Sequence, residues 1–299
     1  MKKSGLTVTI VFEAMSLNYG EGIGNISELK KLSREGYIIT YMSRQALRYD
    51  MLRILKDMFG IKEAPLTKAQ GVIQFKEEAN IKDYEEVDLF GYMKTTKGKT
   101  ALTRSAVVRF SPAISLEPFF NDLEFGTNKN FADRVESDPN PFQFEQHYSL
   151  YSYTVTIDLN RLGVDENENI ILDNNVRAER ACKVLDALKV MNREIKGRIE
   201  NLNPLFLIGG IYPVKNPFFL NRIKVIYNTT YKKFFINKEL IDNVLDLQIN
   251  NNHVRDFSFI GILKGYWGNE DSFENALNIN EFFERLKKEV LKTYEIIES

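Results

Sequence analysis

Arg44 and Arg48 stand four residues apart, directly behind Ser43. In a helix that spacing puts both guanidiniums over one face of the first turn. Serine is a good N-cap, because its hydroxyl accepts from the free N–H groups of that turn. Cations at this end run against the helix dipole. They fit there if an anion is bound too, since free N–H groups at a helix start suit phosphate. Two readings stand side by side: a phosphate site, or two solvated arginines on an ordinary surface helix. Lys30, Lys31 and Arg34 add charge just upstream, between this helix and the glycine-rich segment Asn18–Asn25. Its glycines follow G-x-G-x-G rather than G-x-G-x-x-G, and no Gly-Lys-Ser/Thr follows, so neither nucleotide fingerprint is present. What the glycines do permit is a backbone that comes close to a ligand.

Other chemistry finds little support. The two histidines, His147 and His253, have no cysteine or histidine partner at metal-ligand spacing. No G-x-S-x-G or H-E-x-x-H motif occurs. The single cysteine, Cys182, falls on the apolar stripe of an expected helix and reads as a core residue. One cysteine excludes an internal disulfide and fits a reducing compartment. No apolar run of about eighteen residues occurs, and Met-Lys-Lys-Ser-Gly at the N-terminus opens no segment of signal-peptide type. The expectation is a cytoplasmic protein, not an enzyme, with no metal, no cofactor and no membrane contact. The net charge of −1 does not point to a polyanion, but the charge is unevenly spread. Residues 1–60 hold nine Lys/Arg against six Asp/Glu, and residues 269–299 hold four against eight.

The elements that position Arg44 and Arg48 are a strand over 37–42, rich in β-branched and aromatic residues, and a helix with Leu47, Met51 and Leu55 on its buried stripe. A strand over Leu6–Phe12 opens the chain. Residues 60–86 read as a short hairpin and loops. Strands are expected over Val87–Met93 and Leu102–Phe110, with the polar turn Lys94–Thr100 between them. Residues 113–147 change character: six phenylalanines sit among Pro, Asn, Gly and Asp with no sustained period. That reads as an arm leaving the core. Either it folds down on its own aromatics, or it inserts them into bases or a neighbouring subunit. His147, at its end, reads as a surface or core-edge residue. A strong alternating strand follows over Tyr148–Leu159. The best helix is expected over Arg177–Lys196, stopped by Gly197. A buried strand is expected over Pro204–Tyr212, a hairpin over 222–236 and a closing amphipathic helix over 280–297. The repeated strand-helix-strand order suits an α+β fold, a ferredoxin-like sheet with two helices on one face, the plan shared by RNA-recognition domains.

Several segments together resemble one family: Met42-Ser43-Arg44-Gln45-Ala-Leu-Arg48, Asp88-Leu-Phe-Gly91-Tyr-Met, Arg104-Ser105-Ala-Val-Val-Arg109-Phe-Ser111-Pro, and Tyr151-Ser-Tyr-Thr-Val-Thr-Ile-Asp-Leu-Asn-Arg161-Leu-Gly163. In this order they resemble the DevR branch of the seventh Cas family, the backbone subunits of type I-B CRISPR surveillance complexes (Cascade). The resemblance runs to about Tyr212. It implies a modified RNA-recognition fold shaped like a hand. A palm of about 1–112 and 148–299 carries an inserted thumb over 113–147, all in one domain. It implies copies aligned as a helical filament along one guide RNA, the crRNA, for antiviral defence. Partners would be the guide, the target DNA strand, neighbouring copies and other Cascade subunits. The Ser-x-Gln-x-x-Arg pattern maps onto Ser43, Gln45 and Arg48. Guide contact is expected from Asn25, Lys30, Lys31, Ser43, Arg44, Gln45, Arg48, Arg104, Ser105 and Arg109, and base displacement by the thumb from Phe119, Phe120 and Phe125.

One departure matters: 113–147 holds seven acidic against two basic residues, so phosphate contact must concentrate elsewhere. Two alternatives stand beside this reading. One is a metal-dependent ribonuclease of the type III backbone kind, which uses an aspartate after the first strand; residues 14–36 offer Glu21, Glu28 and Glu35 but no aspartate. The other is a regulatory protein-interaction module.

Overall fold

The structure is a computed structural model that describes residues 4–22, 24–68, 71–95 and 101–297. The expected turn over Lys94–Thr100 lies, from Thr96 on, outside the described residues. Two sheets matter for the site. Their strands are β1 (Gly5–Met15), β2 (Ile26–Ser27), β3 (Lys31–Arg34), β4 (Tyr37–Met42), β5 (Val108–Phe110), β6 (Ala113–Ser115), β7 (Asp122–Thr127), β8 (Pro141–Gln146), β9 (Tyr148–Asp158), β10 (Phe206–Tyr212) and β11 (Ser258–Ile262). The helices are α1 (Arg44–Phe59), α2 (Glu85–Phe90), α3 (Lys129–Arg134), α4 (Asn174–Lys189), α5 (Lys238–Leu245) and α6 (Ile279–Thr293).

The large sheet has eight strands in the order β11-β10-β1-β9-β6-β4-β3, with β5 also paired to β9. Every pairing in it is antiparallel. The fold is therefore mixed α+β on one antiparallel sheet. Strand alternation divides the side chains between two cores. Leu6, Val8, Ile10 and Phe12 of β1 share one core with Leu47 and Met51 of α1, Val184 and Leu185 of α4, and Phe282 and Leu286 of α6. Val11, Leu150, Phe206 and Ile208 point the other way, into a second core with Ile236, Ile241 and Trp267. Each fully buried Leu, Ile or Phe contributes about 2 kcal/mol relative to exposure.

Four expectations are corrected here. The helix read over 177–196 is α4, which ends at Lys189; a hairpin, Asn192–Ile195 with Arg198–Asn201, follows. Lys196 and Gly197 both adopt positive φ, 48° and 79°, which a two-residue hairpin turn demands. The strand read over 87–93 is mostly α2, broken at Gly91. Gly91 has φ +75°, and a Cβ there would lie 2.2 Å from the carbonyl oxygen of Arg104. The strand read over 102–110 splits into Leu102–Arg104 and β5. Finally, residues 113–115 are not part of an arm. They form β6, inserted in the large sheet between β9 and β4, with Ala113 and Ser115 buried.

The rest of 113–147 does leave the sheet. β7 and β8 pair as an antiparallel hairpin with α3 at its tip. β8 also pairs in parallel with β2, directly after the glycine-rich segment. Almost every residue of β7 is exposed, so neither face is buried and no period of two could form in the sequence.

Candidate nucleic-acid interface

The start of α1 is built as its sequence demands. The Ser43 hydroxyl accepts from the Ala46 N–H at 3.2 Å, and Gly60 closes the far end in the left-handed conformation. The Ser43 N–H donates to the Asn18 side-chain oxygen at 3.0 Å, which ties the glycine-rich segment to the helix. That segment folds on itself: the Gly20 N–H donates to Glu28 O and the Lys30 N–H to Asn18 O.

Arg44, Gln45 and Arg48 line an open groove of about 480 Å³ with Phe90, Ala106, Val108, Arg109 and Phe110. The Arg48 guanidinium lies 4.9 Å from the centroid of the Phe90 ring. Partial burial lowers its pKa from the ordinary arginine value, against the charge of Glu86, and arginine stays protonated. Arg109 donates to the Ala106 carbonyl, at 2.9 Å. Among the described residues none of these three arginines forms an ion pair with a carboxylate. Three guanidiniums from α1 and β5, left without counter-ions around an apolar floor, suit an oligoanion with planar groups between its charges.

Other expected contact residues lie elsewhere. Arg104 is buried and donates to Asp88 Oδ1 at 2.6 Å and to the Arg161 carbonyl at 3.0 Å. Arg180 holds the other Asp88 oxygen at 2.7 Å, and the Gly163 N–H adds a further bond. Arg104 is therefore part of the scaffold and cannot reach RNA. Ser105 is exposed, but its hydroxyl and carbonyl both accept from Arg161. Lys31 is taken by Glu145, at 2.7 Å, and Glu28, at 3.2 Å, so it is a pillar of the arm and not a free cation. Lys30 is half-buried and has no acidic partner among the described residues. Asn25 is exposed at the arm's root, where its carbonyl accepts from the Gln143 N–H at 2.9 Å.

The arm stands on Glu145, whose buried carboxylate accepts from the Leu29 N–H and from Lys31. His147 is buried beside it. Its Nδ1 lies 2.7 Å from the Thr40 hydroxyl, and Phe119 packs edge-on at 5.4 Å. Burial lowers the His147 pKa from its ordinary 6.5. Phe119 also donates its N–H to the Ile38 carbonyl, so it is a root residue rather than an inserting one. Phe120 and Phe125 are free, 73% and 64% exposed. Phe131 of α3, not among the expected residues, is as exposed as Phe125.

The residue that sequence reading missed is Lys196. It sits at the turn of the 192–201 hairpin, 4.4 Å from the Phe144 ring centroid, 5.2 Å from that of Tyr19 and 3.3 Å from Ser27 Oγ. Its neighbours are committed to the scaffold: Arg193 to Asp50 and Leu17 O, Arg198 to Glu200 and Met15 O. The alternation Asn-Arg-Glu-Ile-Lys-Gly-Arg-Ile-Glu-Asn around Lys-Gly was the available signal.

A family model described as CRISPR-associated negative auto-regulator DevR/Csa2 matches residues 6–231. The chain belongs to that family. The CRISPR-associated protein Cas7/Cst2/DevR of Myxococcus xanthus (strain DK1622) is 28% identical to this DevR/Csa2-family chain over 157 residues, 47% of this chain and 52% of that protein. The match thus spans about half the length of that relative. A chain of a solved CRISPR RNA-guided surveillance complex has a TM-score of 0.59 and 14% identity, covering 96% of this chain and 98% of its own. A chain of a pre-nicking CRISPR RNA-guided surveillance complex has a TM-score of 0.62 and 12% identity, covering 97% and 100%. At such identities the likeness is one of fold. The family is the one to which the four sequence motifs pointed.

Proposed function

We propose that this DevR/Csa2-family chain is a non-catalytic backbone subunit that binds a guide RNA in a CRISPR effector complex, of type I-B. The observation that carries the reading is the groove of Arg44, Arg48 and Arg109. Its cations form no ion pair with a carboxylate among the described residues, and its Phe90–Phe110 floor suits a nucleic-acid strand. Two chains of like fold come from CRISPR RNA-guided surveillance complexes, which supports the same partner here. Several copies polymerise along one guide as a helical filament. They meet the target DNA strand and other Cascade subunits, in the cytoplasm, as part of antiviral defence.

On this reading the palm is a modified RNA-recognition fold. The strand order β10-β1-β9-β6, with α1 and α4 sharing one core against one face, supports that assignment. The 116–147 hairpin is the thumb of a hand-shaped subunit, and exposed Phe120, Phe125 and Phe131 are its contacts. On this reading the chain performs no cleavage itself, which the lack of an aspartate in 14–36 and the pairing of Glu28 and Glu35 to Lys31 and Arg34 support.

Purification of the full chain, followed by extraction, sizing and sequencing of bound nucleic acid, tests the reading. The expected result is RNA of discrete length, left intact with Mg²⁺ or Mn²⁺. Nucleic-acid-free protein, or cleavage abolished by Glu21→Gln, would overturn it.

A further inference from the structure

From Pro213 to Lys238 the chain carries six Lys/Arg and no Asp or Glu. Two of these cations are used internally, Lys215 by Asp158 and Lys238 by Asp242. The other four, Arg222, Lys224, Lys232 and Lys233, form no ion pair among the described residues. They flank an antiparallel hairpin, Val225–Asn228 with Lys233–Ile236.

This hairpin is anchored to the fold. Val225, Phe234 and Ile236 pack into the second core, on the face of the sheet opposite α1. The tip is closed by the Asn228 side-chain oxygen, which accepts from the Thr230 and Tyr231 N–H groups at 3.0 and 3.1 Å. Asn269 clamps its root, accepting from the Ile236 N–H and donating to the Ile236 carbonyl.

What the hairpin holds outward is apolar and aromatic. Tyr231 and Ile226 are both 68% exposed, and Tyr227 is half-exposed. Each tyrosine ring packs on a phenylalanine, the two phenylalanines on opposite faces of the ribbon: Phe234 at 5.1 Å from Tyr227, and Phe235 at 5.7 Å from Tyr231. Rings packed on a second ring lose little freedom on stacking, and cations beside them that form no ion pair among the described residues favour a polyanion.

We infer that the 222–236 hairpin is a second nucleic-acid platform, which takes a single strand by stacking on Tyr227 and Tyr231 while Arg222, Lys224, Lys232 and Lys233 hold its phosphates. It lies across the sheet from the Arg44–Arg48–Arg109 groove. A strand held there is distinct from one held in the groove, and the inference stands whether or not the groove holds a guide.

The test is fluorescence anisotropy with labelled oligothymidine and the full chain. The titration is run on wild type, on the groove variant Arg44→Ala/Arg48→Ala/Arg109→Ala, and on both backgrounds with Tyr227→Ala/Tyr231→Ala. The groove variant should still bind oligothymidine. The tyrosine changes should then weaken binding about tenfold or more, since each base stack is worth on the order of a factor of ten. Lys232→Ala/Lys233→Ala should flatten the log-log salt dependence by about 1.4, at about 0.7 per phosphate contact on a single strand. Circular dichroism confirms that each variant is folded. Affinity and salt slope unchanged in both hairpin variants would overturn the inference and leave the platform to a protein partner. So would a groove variant that binds no oligothymidine.

Discussion

The Ser43 backbone N–H donates to the Asn18 side-chain oxygen at 3.0 Å. One bond thus fixes the glycine-rich segment to the turn from which Arg44 and Arg48 project. Asn18→Ala should cost about 1 kcal/mol in a urea melt, because the Ser43 N–H loses its partner. Hydrogen exchange over residues 19–25 should rise, while exchange in the interior of α1 stays slow.

Asp88 holds two buried guanidiniums, of Arg104 and Arg180, and both arginines leave their Nε without a partner among the described residues. Removing the carboxylate strands both charges, so Asp88→Ala should destabilise by about 3–5 kcal/mol. Arg104→Ala should likewise lower the melting temperature. Its folded fraction should bind RNA with unchanged affinity, because Arg104 does not reach the surface. Differential scanning fluorimetry with binding isotherms separates the two effects.

His147 gives a pH dependence. Its folded pKa lies below 6.5 because burial beside Thr40, Phe119 and Tyr151 disfavours the cation, against the charges of Glu117 and Asp122. The unfolded state therefore binds the proton more readily. Stability is fully present above the unfolded pKa and falls as pH drops from about 6.5 toward the folded pKa, by at most about 1.4 kcal/mol per pH unit. His147→Gln should flatten this slope in melts run between about pH 7 and about pH 5.

The arm makes a separate prediction. Replacing 121–143 with a short Gly/Ser linker keeps β6, Glu145 and His147 but removes the partner of β2. The loss should be modest, on the order of 1–2 kcal/mol, because closing the shorter loop offsets part of it. The truncated chain should elute as a folded monomer by size exclusion and fail to assemble on a full-length guide, since contacts between copies supply the avidity. Normal assembly would remove the arm from the filament interface.

Local signals were legible in the sequence. The Ser43 cap and the Leu47–Met51–Leu55 stripe placed α1, and alternation placed β1 and β9, because cap, stripe and period are properties of neighbouring residues. Partner-dependent features were not legible. Arg104 and Arg109 share a segment and a residue type. Only the fold sets one against Asp88 and leaves the other at the groove. The 192–201 hairpin was hidden because Met191 and Ile195 fall at helical spacing while Asn192–Ile195 is a strand. β7 had no period to read because neither of its faces is buried.

Salt dependence of guide binding tests the central claim most directly. Affinity for a guide-length RNA is measured against monovalent salt for wild type and for Arg44→Ala/Arg48→Ala/Arg109→Ala. If the groove holds three phosphates, the triple variant binds more weakly, and its log-log slope is shallower by about two units, at about 0.7 per phosphate on a single strand. A triple variant with wild-type affinity and slope would contradict the account and move the guide away from this groove.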